Sequence, residues 1–302
     1  MEQKHNNTVT YLLLLLAVTL WGFSFIWTND LIRQDVPIFI FVFLRITISG
    51  CVLMLFSKLT GKLQKVKKKD WKWFLLISFF EPFIYFIGES YGMKTTDSAT
   101  LSSVVIATIP IFTLILGQII YKEPLTKLNI IAVVITLPGI LIFMWNGGSV
   151  KPEYLYGLLF LALAVAGSVG YGLVCKRLTS DYNAYTITSY QFFISIFFFL
   201  IPFLLWGLPA WRPGLLTFSV IKPLLCLALL CSCLAFVLYV KSIDKVGMTK
   251  TVIFNSLSPV ISAIVAYFSG RESLSYQQVI GIAVVLCGVI LAQFKPVVRC
   301  TK

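Results

Sequence analysis

The sequence predicts an all-α membrane protein: ten transmembrane helices arranged as two inverted five-helix repeats. Composition is the first ground. Of 302 residues, 58% are hydrophobic and 12% charged, with mean hydropathy +0.90, whereas soluble domains carry about 25% charged residues. That much apolar surface needs a bilayer to cover it. Internal duplication is the second ground. Pro110, Glu123, Leu125, Ile131 and Gly139 recur as Pro259, Glu272, Leu274, Ile280 and Gly288, each pair 149 residues apart. A unit with an odd number of spans, copied once, inserts its second copy upside down. The expected units are 1–148 and 149–302. The third ground is the alternation of lysine-rich and lysine-poor connections between hydrophobic runs.

A helix rises about 1.5 Å per residue and the hydrocarbon core is about 30 Å thick, so a span needs about 20 apolar residues. The first run, Thr10 to Asn29, follows Lys4 as a signal peptide would. It is too long for one and ends in no small-x-small pattern, so it reads as a permanent helix. The second, Val36 to Ser57, leads into the longest connection, Lys58 to Asp70, which carries six lysines. Trp71 and Trp73 open the third, Trp71 to Tyr91, at the interface where aromatic residues anchor helices. Asp97 to Tyr121 and Thr126 to Trp145 complete the first unit. The second unit supplies Leu155 to Cys175, Ala184 to Trp206, Val220 to Val240, Gly247 to Ser269 and Ser275 to Phe294. Trp145, Trp206 and Trp211 fall at the opposite interface.

Placing the N-terminus in the cytoplasm puts sixteen lysines and arginines on the inner side and six on the outer. This is the positive-inside bias, and it predicts a plasma (inner) membrane protein with both termini cytoplasmic. It also explains the net charge of +13, so nucleic acid is not an expected partner. The seven cysteines lie mostly within apolar runs and show neither disulfide nor metal-knuckle spacing. The one histidine, His5, lies in the N-terminal tail, and no phosphate-binding or hydrolase motif occurs. No cofactor, metal or enzymatic activity is expected.

Ionisable groups at bilayer depth cost roughly 3 kcal/mol each and need a reason. Arg45 and Glu81 sit near the middle of the second and third runs, which are consecutive and antiparallel. Glu81 is expected to take a substrate amine or a proton, and Arg45 a carboxylate; an interhelical pair between them is the structural alternative. Glu81, Tyr85 and Glu89 share one stripe of the third helix, with Glu89 also placed to reach outer water or Lys94. Pro82 removes an N–H and frees the Ser78 carbonyl, predicting a kink beside Glu81. Pro110 and Pro259, being repeat equivalents, would give the halves matching bends, as hinges or as inherited shape. Asn255 is a candidate for substrate or interhelical hydrogen bonding, and Tyr171 and Tyr239 are weaker pathway candidates. Gly22, Ser24, Gly167, Ser168 and Gly170 suit close helix packing. Glu123 and Glu272 read as structural, each favouring the N-terminus of the helix that follows it.

Trp21-Gly22-Phe23-Ser24-Phe25, Arg45 and the two hairpins Pro110 to Gly139 and Pro259 to Gly288, each with its Glu-x-Leu turn, resemble the EamA-like transporters of the drug/metabolite transporter superfamily. The likeness covers nearly the whole chain through order and spacing together. It implies a permease for a small polar or zwitterionic metabolite, such as an amino acid or related compound. It further implies export by alternating access between the repeats. Proton exchange and uncoupled diffusion stay open, as do a monomeric or homodimeric state. Two other readings remain: a non-transporting sensor or assembly factor, and a lipid or isoprenoid carrier. Arg45 has no basic equivalent in the seventh run, where Tyr190 and Gln191 lie, so the charge concentrates in the first half.

Overall fold

The computed structural model describes residues 2–121, 127–145, 152–248, 251 and 254–291. Glu123 and Leu125, the first-unit members of the duplicated turn, lie outside them. The described residues form helices α1 (Glu2–Arg33), α2 (Ile38–Leu59), α3 (Lys68–Thr96), α4 (Ala99–Ile106), α5 (Ile109–Tyr121) and α6 (Lys127–Met144). They continue as α7 (Pro152–Leu178), α8 (Ala184–Ala210), α9 (Phe218–Val246), α10 (Asn255–Phe268) and α11 (Tyr276–Leu291). Six of these, α1, α2, α3, α7, α8 and α9, are long and apolar enough to cross a membrane. Shorter apolar helices, Ala99–Thr113, Val134–Met144, α10 and α11, occupy the other four expected segments.

The helices are apolar all round because they face lipid on one side and each other on the other. Leu159, Phe197, Leu205 and Phe218 are exposed, while Phe41, Phe74, Phe192 and Phe236 are buried. Because lipid is as apolar as leucine, packing and interhelical hydrogen bonds hold such helices together. Ser57 and Ser189, for instance, share a bond of 2.8 Å between α2 and α8.

The packing partners follow an exchange rule. Helix α3 lies along α7, and α9 lies along α1; in repeat terms these are third against sixth, and eighth against first. The fourth segment touches α7 as α10 touches α1. Three contacts join repeat equivalents directly: α2 with α8, α4 with α10, and α6 with α11. Swapping the halves therefore maps this set of contacts onto itself.

Besides α3, described below, two of the shorter segments depart from single expected helices. Asp97 to Tyr121 is divided into α4 and α5 at Ala107 and Thr108. Helix α10 opens with a tight turn, Asn255–Leu257, before its regular part starts at Ser258. Pro110 and Pro259 are each the second residue of the helix that follows the break, a place where the missing N–H costs nothing.

Helices α3 and α7 meet almost backbone to backbone. A Cβ on Gly88 would stand 2.5 Å from the Phe160 carbonyl oxygen and 2.7 Å from the Ala164 nitrogen. Gly88→Val should therefore destabilise the protein by about 1–3 kcal/mol, read as a lower unfolding temperature in detergent. An unchanged temperature would mean that α7 yields to the added bulk.

Candidate functional site

The site begins with an interruption of α3. Glu81 has extended backbone angles, φ −144° and ψ 119°, inside a wide turn, Phe79–Ile84, that divides the helix. The carbonyls left without helical partners are taken up by α8. Gln191 Nε2 donates to the Glu81 carbonyl at 2.8 Å, and Ser195 Oγ shares its proton between the Gln191 carbonyl of its own helix at 2.7 Å and the Ser78 carbonyl at 3.2 Å. The Ser78 carbonyl, which Pro82 is expected to free, thus has a contact from the other half of the chain. Its repeat counterpart, α9, contains a similar wide turn at Cys226–Ala235.

Beside this break lies a small cavity lined from both halves of the chain. The first half contributes Trp21, Ser24, Phe25, Arg45, Glu81, Tyr85, Phe86, Glu89, Ile106 and Ile109. The second contributes Ser168, Tyr171, Phe236, Tyr239, Asn255 and Ser258. Every polar candidate read from the sequence is here, whereas Pro82, Pro110 and Pro259 stand next to lining residues. Ile106 and Ile109 flank one duplicated helix break, and Asn255 and Ser258 flank the other. Gln191 is fully buried at the rear of the turn that carries Glu81.

Arg45 and Glu81 do not form an ion pair in this structure; the described ion pairs are all elsewhere. Arg45 is 3% exposed. Its Nε donates to Ser232 Oγ at 2.8 Å, and its guanidinium lies 3.9 Å from the centre of the Phe86 ring. Glu89 faces neither outer water nor Lys94: it is buried and accepts a hydrogen bond from Tyr85 Oη at 3.3 Å. Glu81 Oε2 and Asn255 Oδ1 are buried without a hydrogen-bond partner. Asn255 instead uses its Nδ2, donating to Tyr239 Oη at 3.3 Å.

A polar cluster ties helix ends beyond the cavity. Arg271 makes a two-pronged bond to Asp30, Nε to Oδ1 at 2.7 Å and Nη2 to Oδ2 at 2.8 Å. Arg33 Nε bonds Asp97 Oδ1 at 2.9 Å and its Nη1 donates to the Arg271 carbonyl at 3.0 Å. Glu272 is structural, but it does not serve the helix that follows it. Its Oε1 accepts from the Ala99 N–H at 2.6 Å and the Thr100 N–H at 3.4 Å, capping α4 of the first half.

The sequence pattern of the EamA-like transporter family matches twice, over residues 8–145 and 155–294. The chain belongs to this family. The chain is similar to uncharacterized transporter YetK of Bacillus subtilis (strain 168), at 28% identity over 94% of this chain and 87% of that protein. An uncharacterized transporter of Archaeoglobus fulgidus shows 23% identity over 96% of this chain and 99% of its own length. A crystallised protein with 18% identity superposes with a TM-score of 0.69, covering 94% of this chain and 96% of that one. This last likeness concerns the fold alone.

Ser232, Phe86, Ser195 and the Asp30–Arg271 cluster were not singled out by the sequence. Serines are too common in membrane helices to mark a partner for Arg45, and the two members of the ion pair are 241 positions apart. Gln191 drew notice only as a neighbour of the Arg45-equivalent position. Gln191→Leu should leave the Glu81 carbonyl unpaired, at a cost of about 1–3 kcal/mol. Thermal unfolding of the purified variant checks this, and a stability equal to wild type would show that the carbonyl has another partner.

Proposed function

We propose that the chain is a secondary transporter exporting a small zwitterionic metabolite, an amino acid or related compound, by alternating access between its two halves. The observation that carries this reading is the cavity between the halves, where Arg45, Glu81 and Glu89 are buried without forming ion pairs with one another. A buried charge of this kind is costly, and a ligand of complementary charge offsets that cost. Arg45 spends Nε on Ser232; its two terminal nitrogens are suited to grip a substrate carboxylate in the planar manner of guanidinium. Glu81 Oε2 and Asn255 Oδ1, both unpartnered acceptors, suit the substrate ammonium, with the Trp21 and Tyr239 faces adding cation–π attraction. Between substrates, the same Glu81 oxygen can hold a proton, which makes proton exchange the favoured coupling.

In this reading ten helices form two inverted units, divided near residue 148. The family pattern's two matched segments and the exchange of packing partners between halves support it. The helix breaks before Pro110 and Pro259 then act as matched hinges on either side of the cavity. The lysine-rich connections support cytoplasmic termini in a plasma-membrane protein. On that orientation the Asp30–Arg271 cluster lies at the outer end and closes it. Exposed ion pairs contribute only about 0–1 kcal/mol each, which suits a closure that must open in every cycle.

Three measurements test the proposal. Glu81→Gln should cut release of the substrate by roughly tenfold to a hundredfold, the loss expected for a charge-assisted contact. Extracellular metabolites of cells producing wild type and variant at equal membrane levels are compared; equal release by both removes Glu81 from the mechanism. Cysteines at Asp30 and Arg271, joined by a short bifunctional reagent, should halt transport until the link is cleaved. Continued flux through the linked protein would show that the outer end need not open. A cysteine at Lys65 should react with a membrane-impermeant maleimide only in inverted vesicles, and reaction on intact cells would reverse the orientation.

A further inference from the structure

Away from the cavity, three helix ends meet at the membrane face that bears the lysine-rich connection. Lys62 follows the end of α2, Tyr185 is near the start of α8, and Lys241 is near the end of α9. Both ammonium groups converge on one phenol. Lys241 Nζ donates to Tyr185 Oη at 2.9 Å and Lys62 Nζ approaches it at 3.5 Å. They lie 4.4 Å and 4.5 Å from the centre of the same ring. Among the described residues, neither lysine is ion-paired to a carboxylate. Asp244, three residues along α9 from Lys241, is exposed and takes no part in an ion pair.

Two cations sharing one neutral oxygen repel each other, and the phenol dipole offsets only part of that repulsion. The arrangement is nevertheless built into the fold. The Lys62 carbonyl is held by Asn183 Nδ2 at 2.9 Å and by Thr186 Oγ1 at 3.3 Å, so the segment carrying this lysine is fastened to α8. Immediately beneath, α2 presents an apolar strip to lipid: Val52, Phe56 and Leu59 are 41%, 46% and 77% exposed. The Phe56 ring lies 6.0 Å from that of Tyr185 and 5.6 Å from Lys62 Nζ. A divalent-looking seat of positive charge thus caps a strip of surface suited to a hydrocarbon chain.

We infer that Lys62, Lys241 and Tyr185 form a binding site for an anionic phospholipid, its phosphodiester between the two ammonium groups and an acyl chain along Val52, Phe56 and Leu59. Anionic leaflets attract basic segments at the membrane surface in general; here the cations are positioned rather than merely near. The lipid would join α2 of the first half to α8 and α9 of the second.

The test is native mass spectrometry of the full chain in detergent, with phosphatidylglycerol or phosphatidylcholine of identical chains added. Wild type should retain phosphatidylglycerol in preference to phosphatidylcholine. The double variant Lys62→Gln/Lys241→Gln should weaken that retention about thirtyfold. Lys65→Gln/Lys68→Gln, which removes the same amount of charge from the connection that carries Lys62, should leave it intact. Equal retention of the two lipids, or equal loss in both double variants, would overturn the site. Inorganic phosphate at millimolar concentration should not displace the lipid; if it does so fully, the seat belongs to a free anion and the lipid assignment fails. No readout depends on transport, so the outcome stands apart from that of the Glu81 experiment.

Discussion

A backbone carbonyl without a hydrogen bond costs several kcal/mol in hydrocarbon, and that penalty organises the middle of this protein. Helix α3 is broken at Glu81, and a break there persists only if something else satisfies its freed groups. Gln191 of α8 does so for Glu81, and Ser195 contributes to Ser78 the longer branch of a shared hydrogen bond. The consequences spread outward from these two bonds. Glu81 leaves the helical path beside the cavity, and α3 is fastened to a helix of the opposite half. The smaller interruption between α4 and α5 is closed locally, by Thr108 Oγ1 bonding the Val105 carbonyl at 2.6 Å. At Glu81 and at Ala107–Thr108 the irregular backbone thus borders the cavity and is bonded at the same time.

The two halves share their backbone more than their chemistry. The wide turns of α3 and α9 correspond, as do the breaks before Pro110 and Pro259. Arg45, Glu81 and Glu89 all come from the first half, while the second answers with neutral donors and acceptors: Ser232, Gln191, Asn255 and Tyr239. A second set of buried charges would double the desolvation cost. The halves therefore match in where their helices break and differ in the side chains they bring to the cavity.

What the sequence made legible follows from how far each signal reaches along the chain. Hydrophobic runs are local, so the six long helices could be read directly, and the 149-residue repeat stood out because no gap interrupts it. Arg45, Glu81, Tyr85, Glu89 and Asn255 were conspicuous because polar groups are rare at that depth, and all five line the cavity. Their partners were not conspicuous. Whether Arg45 meets Glu81 or Ser232 depends on a side-chain direction that helix order does not fix, and a serine 187 residues away carries no mark of its role. Glu272 illustrates the same limit. Its place before a helix suggested a local cap, but its carboxylate accepts from the first N–H groups of α4 instead.

The clamp on α3 also bears on how the chain is made. Glu81 and Gln191 are 110 residues apart, and ribosomes add about 5–20 residues per second. For roughly 5–20 s, then, a nascent α3 has been synthesised while the side chain that completes it has not. During that interval its carbonyls at Ser78 and Glu81 need water, the insertion machinery or a temporary helix register to satisfy them. The segment that shapes the cavity is thus among the last parts of the first half to settle, and it settles only when the second half arrives.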